Sequence, residues 1–244
     1  MDAEYPTLEV RFAEGVRYFW DKRESQQDAQ RIAGKVDAGT RGSVTGGGHM
    51  DAIAQIVAQV LLDTGLDHLH IKTRTPLELP GYYRPEKKWD LLVVANGQLV
   101  TAMEFKSQVG PSFGNNFNNR AEEAIGSATD LWIAYRQGLL GDGPPPVLGY
   151  FVLLEDCPAI HTPIRSQSPY YPIDPAFQGA SYSKRYELLC RRLVRERLYQ
   201  AACLTLATKA TPSLISHPAE ALSFRRFVAQ LQGAACTFLQ QRSL

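Results

Sequence analysis

The stretch that most limits the fold of this chain is WDLLVVANGQLVTAMEFKS, residues 89–107. Two apolar arms meet at Asn96-Gly97, a pair that tolerates positive φ at both positions and so sets a tight hairpin turn. Arms this apolar belong in a core rather than on a surface ribbon. Yet Asp90 opens the stretch, and Glu104 and Lys106 stand near its end on either side of Phe105. Residues 104 and 106 are two apart on a strand, so they share a face, with Cα atoms roughly 6.6 Å apart. Phe105 points the other way and anchors the strand.

Two carboxylates drawn together repel, and a divalent metal removes that cost by favouring both ionised forms. Asp and Glu oxygens suit Mg²⁺, which keeps several waters and binds through one or two carboxylates and a phosphate. A lysine beside such an ion can stabilise the charge developing at phosphorus or help a water lose its proton. The set therefore suits metal-dependent phosphodiester hydrolysis, although the same residue types also make ordinary surface ion pairs. Strand parity adds a condition. With a strict two-residue turn, residue 95 faces residue 98 and Asp90 faces Met103, on the side opposite Glu104. The acids share a face only if one arm carries an extra residue, expected as a three-residue turn with a bulge at Gly97, or if Asp90 precedes the strand.

Elsewhere the periodicity predicts a helix over 7–33, a Gly-rich loop over 35–49 and a helix from Met50 to Gly65 with Ile53, Ile56, Val57, Val60 and Leu61 on one face. The Gly-rich loop lacks the GK[ST] of a phosphate loop. A strand is expected at 67–74, a Pro-containing loop at 75–88, a polar loop at 110–119 and an amphipathic helix from Ala121. VLGYFVLLE (147–155) reads as a strand buried on both faces. An irregular Pro-rich segment at 163–180 precedes two helices expected near 181–209 and 219–240. The fold class is α/β: a mixed β-sheet core flanked by helices, with helical additions at both ends. We expect one domain over 1–244, with the core about 49–156, an N-terminal helical region at 1–48 and a C-terminal one at 157–244.

Composition excludes several classes. The hydrophobic content of 44% is ordinary, no apolar run approaches the roughly 20 residues of a membrane span, and the N-terminus does not read as a secretory signal. Cys157, Cys190, Cys203 and Cys236 form no CxxC pair, which fits free thiols in a reducing cytoplasm. The net charge of +1 does not mark a nucleic-acid binder, although Lys184, Arg185, Arg191, Arg192, Arg195 and Arg197 crowd residues 181–200. His68 and His70 share a face of the expected strand without a third ligand at convincing spacing, and His49 lacks the partners of a ββα-metal motif.

At GGGHMDAIAQIV, KKWDLLVV and TAMEFKSQVGPSFGNNFNNRAEEAIGSATD the chain resembles the PD-(D/E)XK nuclease superfamily, and more specifically the XhoI family of type II restriction endonucleases. The proline usual before the aspartate is absent, since Lys88-Trp89-Asp90 stands there. The resemblance implies an Mg²⁺-dependent homodimer acting on double-stranded DNA at a palindromic six-base-pair site, CTCGAG in that family. It implies 5′-phosphate ends and a cognate DNA methyltransferase in the same system that is not a physical partner. It makes Asp90, Glu104 and the backbone carbonyl of Phe105 metal ligands and Lys106 the catalytic lysine. Asp51, in the first turn of its helix, is a further candidate ligand, although an acid there also favours the helix N-terminus. Gln108 continues the parity of Glu104 and Lys106, towards either the site edge or the sheet margin. Asn115, Asn116, Asn118, Asn119 and Arg120 leave the catalytic strand where DNA must lie, and suit base edges and phosphates. Tyr182, Lys184 and Arg185 are weaker DNA-contact candidates. Two other readings stay open: a repair or recombination nuclease without a fixed site, and a non-catalytic DNA-binding protein on this fold.

Overall fold

A computed structural model describes residues 7–32 and 48–241. The expected Gly-rich loop therefore lies, from residue 35 to residue 47, outside the described residues. The centre is a six-stranded sheet in the order β1-β4-β5-β6-β7-β8, comprising β1 (Ile71–Lys72), β4 (Leu91–Ala95), β5 (Gln98–Gln108), β6 (Val147–Glu155), β7 (Ala201–Ala207) and β8 (Ile215–Ser216). Strands β5, β6 and β7 run parallel, and the outer pairings are antiparallel. A separate two-stranded ribbon joins β2 (Glu78–Pro80) to β3 (Glu86–Lys88).

Helices cover both faces, as parallel strands require. On one side α1 (Leu8–Ile32), α2 (Asp51–Leu62) and α5 (Phe224–Gln241) bury Phe12, Phe19, Ile53, Val57, Phe227 and Leu231 against Met103, Phe105 and Phe151. On the other, α3 (Phe113–Arg136) and α4 (Tyr182–Arg195) bury Phe117, Ala128, Tyr186 and Leu189 against Ala102, Tyr150, Val152 and Leu204. Strand β6 coincides with the predicted 147–155, and every interior residue from Leu148 to Leu154 is buried.

Four local expectations are corrected. The helix predicted over 181–209 ends at Arg195, and β7 follows within it. The helix stops because Arg197 takes φ 58°, while the amides of Leu198 and Tyr199 both donate to the Leu193 carbonyl at 3.0 and 3.1 Å. No glycine or proline marks that left-handed stop. The C-terminal region, expected to be helical, thus contributes β7 and β8 to the sheet. The polar loop predicted at 110–119 is helical from Phe113, because Phe113 and Phe117 lie one turn apart and are both buried, overriding the weak helix propensity of asparagine. The strand predicted at 67–74 is a 3₁₀ turn over His68–His70, capped by the Asp67 carboxylate accepting from the Leu69 amide, with only Ile71 and Lys72 extended. The two histidines therefore do not share a strand face.

The loop predicted at 75–88 is instead the β2–β3 ribbon, and its tip is held from a distance. The buried Asp130 of α3 accepts from the Tyr82 and Tyr83 amides at 2.8 and 2.7 Å and from Arg84 Nε at 2.8 Å. Burial pushes this carboxyl upward, but the Tyr83 amide, the Arg84 guanidinium and the Tyr82 amide together pull it below its ordinary value of 3.8. A depressed folded-state pKa stabilises the fold above the unfolded value, and that stability is lost as pH falls through the folded value. Asp130→Ala should accordingly cost about 2 kcal/mol at neutral pH, measured by urea unfolding, and the difference from the parent should shrink as the pH is lowered below about 4.

Candidate active site

The hairpin resolves the parity condition. Its turn keeps two residues, Asn96 at φ 54° and Gly97 at φ 76°, with Ala95 opposite Gln98. The expected three-residue turn with a bulge at Gly97 is therefore absent. The extra residue is Val100 on β5: Val94 pairs with Leu99 and Val93 with Thr101, so the register slips by one. Leu91 then faces Met103, and Asp90, one residue before β4, falls level with Glu104. Its Oδ2 accepts from the Phe105 amide at 2.7 Å, while its own amide donates to the Met103 carbonyl at 3.0 Å. Asp90 is thus fastened beside the Glu104–Lys106 pair by main-chain bonds.

Glu104 is only 3% exposed. One of its carboxylate oxygens contacts Lys106 Nζ, and the other contacts Lys87 Nζ. The Lys87 ammonium also lies 4.3 Å from the centroid of the Trp89 ring and donates to the Lys88 carbonyl at 3.0 Å. Burial and the neighbouring Lys106 lower Lys87 to about 7, with Asp90 pulling the other way. Lys106 is lowered for the same leading reason; Asp90 opposes that shift and Arg120 adds to it. Lys87 was not anticipated, because it lay in a segment read as loop. Its signal was the alternation of Lys87 and Trp89 directly before Asp90.

Oxygen donors suited to a hard divalent cation gather here. The β4–β5 ladder ends at Leu91 and Met103. A strand residue turns its N–H and C=O to the same edge, so the Phe105 carbonyl faces the edge where its amide meets Asp90, beyond the last ladder pair. Two carboxylates and a main-chain carbonyl thus share one edge, and a buried carboxylate flanked by two ammonium groups shows how much positive charge the position calls for. Asp51 does not join them. It is exposed in the first turn of α2, on the opposite layer, and among the described residues no three His, Cys, Asp or Glu side chains converge. His49 is buried beside Phe19, with Nε2 3.1 Å from Ser107 Oγ, a packing role on that same layer.

The remaining predicted residues are placed as follows. Gln108 is buried and donates to the Val109 carbonyl at 3.0 Å, which is the sheet-margin role. Asn115, Asn118 and Asn119 are exposed on one side of the first turns of α3. Asn116 is half-buried and one turn before Arg120, which reaches towards Lys106 and pairs with Glu123. The Nε of Arg120 is buried without a hydrogen-bond partner. Tyr182 leans on Phe113 with ring centroids 5.8 Å apart, and its hydroxyl passes so close to Gly114 that an added Cβ would lie 2.7 Å away. Lys184 is paired with Glu187 at 3.0 Å. Arg185 is committed to the Ala180 carbonyl at 3.0 Å and Ser166 Oγ at 2.5 Å.

Residues 29–216 match the family model described as restriction endonuclease XhoI. The chain belongs to the XhoI restriction endonuclease family. It is 44% identical over 209 residues to the type II restriction enzyme BstVI of Geobacillus stearothermophilus, covering 83% of this chain and 93% of that one. It is 50% identical over 184 residues to the type II restriction enzyme XhoI of Xanthomonas vasicola, covering 74% and 73%. The type II restriction enzyme AbrI of Azospirillum brasilense is 45% identical over 172 residues, covering 70% and 77%. No solved structure matches. The protein is thus an enzyme, a type II restriction endonuclease, and among the described residues no helix is long and apolar enough to cross a membrane.

The charge balance at Glu104 makes a prediction that separates this site from a simple acidic metal cluster. Removing a carboxylate from an acidic cluster relieves repulsion, whereas here Glu104→Gln leaves Lys87 and Lys106 buried without their shared counter-ion, so that positive charge must be held unpaired or given up. The metal-free variant should lose about 3 kcal/mol of stability, read from urea midpoints in the presence of a chelator.

Proposed function

We propose that this XhoI-family enzyme hydrolyses phosphodiester bonds in double-stranded DNA at a palindromic six-base-pair site, CTCGAG as in the family, with Mg²⁺ as cofactor and 5′-phosphate ends as product. One observation carries the reading: the Val100 bulge sets Asp90 level with Glu104 and Lys106 at the edge of the sheet. The core is of the PD-(D/E)XK type in this reading, and the cellular setting is the bacterial cytoplasm.

Asp90, Glu104 and the Phe105 carbonyl would hold the Mg²⁺, which supplies positive charge to the phosphoryl oxygens and lowers the pKa of a bound water. Lys106 contributes in two ways. Its ammonium stabilises charge gathering on the phosphorus centre, and burial lowers its pKa, which eases the passing of a proton between it and a nearby water. Glu104 orients Lys106 by direct contact. Asp90 is held rigidly by the Phe105 amide, so the acids keep their geometry while the substrate is seated. Asn115, Asn118 and Asn119, on the exposed side of α3, are proposed contacts for bases and phosphates.

A two-fold symmetric protein matches a palindromic duplex, so the active form is proposed to be a homodimer that presents one such site to each strand. Plasmid DNA should give a discrete fragment pattern with Mg²⁺ and none with a chelator, and mapped ends should fall within CTCGAG. Glu104→Ala should abolish cutting and leave duplex binding measurable by gel shift; retained cutting would remove Glu104 from the mechanism.

A further inference from the structure

A second polar hollow lies on the same edge of the sheet, and none of Asp90, Glu104, Lys106 and Lys87 lines it. It is a cavity of about 380 Å³ whose lining includes Trp20, Arg23, Gly110, Pro111, Glu155 and Lys209. Its floor is the C-terminal edge of the parallel strands. Gly110 follows β5, Glu155 ends β6, and Lys209 comes two residues after β7. In open α/β sheets ligands bind outside the carboxyl ends of the strands.

Among the described residues, two donors on the side chains that line this cavity have no hydrogen-bond partner. Trp20 Nε1 and Arg23 Nε are both buried and unbonded, in residues 7% and 8% exposed. They lie three apart on α1 and so share a face of the helix. A buried donor left unpaired costs about 1–3 kcal/mol, and two of them lining one cavity call for an acceptor that enters it. The guanidinium also lies 5.8 Å from the Phe19 ring centroid, which fixes its place. Glu155 attracts the guanidinium through space, but its carboxylate is turned to the Gly110 amide, from which Oε2 accepts at 2.8 Å, and it bonds neither unpaired donor. Among the described lining residues Arg23 and Lys209 against Glu155 leave a surplus of one positive charge, a balance that favours an anionic acceptor.

We propose that Trp20, Arg23 and Lys209 form a binding site for a backbone phosphodiester of the DNA substrate, next to the cutting site on the same strand edge. The assignment rests on the nuclease reading above. Val109 follows the last residue of β5 and stands three residues after Lys106, roughly 10 Å along an extended chain, so in this reading the backbone of a duplex seated at Lys106 comes within reach of the hollow. The indole N–H, the guanidinium and the ammonium are all donors, which matches the acceptor-only oxygens of a phosphodiester.

The test is the salt dependence of duplex binding, followed by fluorescence anisotropy in metal-free buffer, where no cutting occurs. Each phosphate contact contributes about 0.9 to the slope of log affinity against log salt. Arg23→Met and Lys209→Gln should each lower the slope by about that amount and weaken binding on the order of tenfold near 0.1 M salt. Arg23→Lys should keep the slope and lose part of the affinity. Lys209 is exposed, so its variant reports on binding even where Arg23→Met fails to fold. Unchanged slopes in Lys209→Gln and in folded Arg23→Met would overturn the proposal. So would a response of tryptophan fluorescence to inorganic phosphate that is lost in Trp20→Phe, at unchanged duplex slopes, which would make this a free-phosphate pocket. Digestion of plasmid by the parent enzyme is measured separately: normal cutting with unchanged slopes removes the phosphate site alone, whereas absent cutting with altered slopes removes the nuclease reading alone.

Discussion

Val100 has no partner on β4, and the placing of Asp90 beside Glu104 and Lys106 depends on that single unpaired residue. Side chains alternate between the two faces of a strand, so an even register would have placed Asp90 level with Met103. The extra residue shifts one arm by one position beyond the bulge and leaves the hydrophobic pairs near the turn in place. The core and the site can then coexist on one hairpin: Leu91, Val93 and Met103 pack against α1, α2 and α5, while Glu104 and Lys106 face the layer of α3. Bulges bend and twist a strand locally, which is why they recur where a side chain must be re-aimed.

The price of such an arrangement is a carboxylate and two ammonium groups in a poorly solvated place. A buried charge that loses its partner costs several kcal/mol, and replacing the whole set with apolar residues would often be neutral or stabilising. The cluster is therefore better understood as a functional device than as a source of stability. Asp130 shows the contrasting case. Its carboxylate is also buried, but all its partners belong to the ribbon tip, and its lowered pKa reflects bonds that hold the fold together.

Much of this was legible because periodicity and short-range chemistry carried it. The Asn96-Gly97 turn, the 147–155 strand, the α2 helix and the Glu104–Lys106 pair all follow from neighbours a few residues apart. The failures share one cause, which is that the deciding interaction is distant or silent. No local residue announces the Asp130 clamp on Tyr82, Tyr83 and Arg84, 46 to 48 positions away. Nothing in Leu-Tyr-Gln announces that Arg197 will enter the left-handed region and let β7 begin. The Asn-rich segment reads as loop by propensity, and becomes helix only because Phe113 and Phe117 find a core made by α4 and the sheet. Lys87 reaches the site by the same route, since the ribbon that carries it is held at its tip by the distant Asp130.

The C-terminal edge of β5, β6 and β7 then explains why polar groups accumulate where they do. Parallel strands bury both faces, so their chemistry is displaced to the ends, and connections leaving one edge bring residues from several segments together. Glu104 and Lys106 approach that edge on the α3 side of the sheet. Trp20 and Arg23 approach it from the α1 side, with Lys209 beyond β7 and Gly110 between the two sets. On the proposal above, one ligand that meets both sets is long and carries repeated negative charge, because they stand on different sides of the sheet edge and Lys209 lies beyond the end of β7. A nucleic-acid backbone has that form, and its phosphates fix position while base contacts elsewhere supply discrimination. The near-neutral net charge of the chain is consistent with this division, since a few well-placed cations at one edge serve register better than a uniformly basic surface that would bind any sequence.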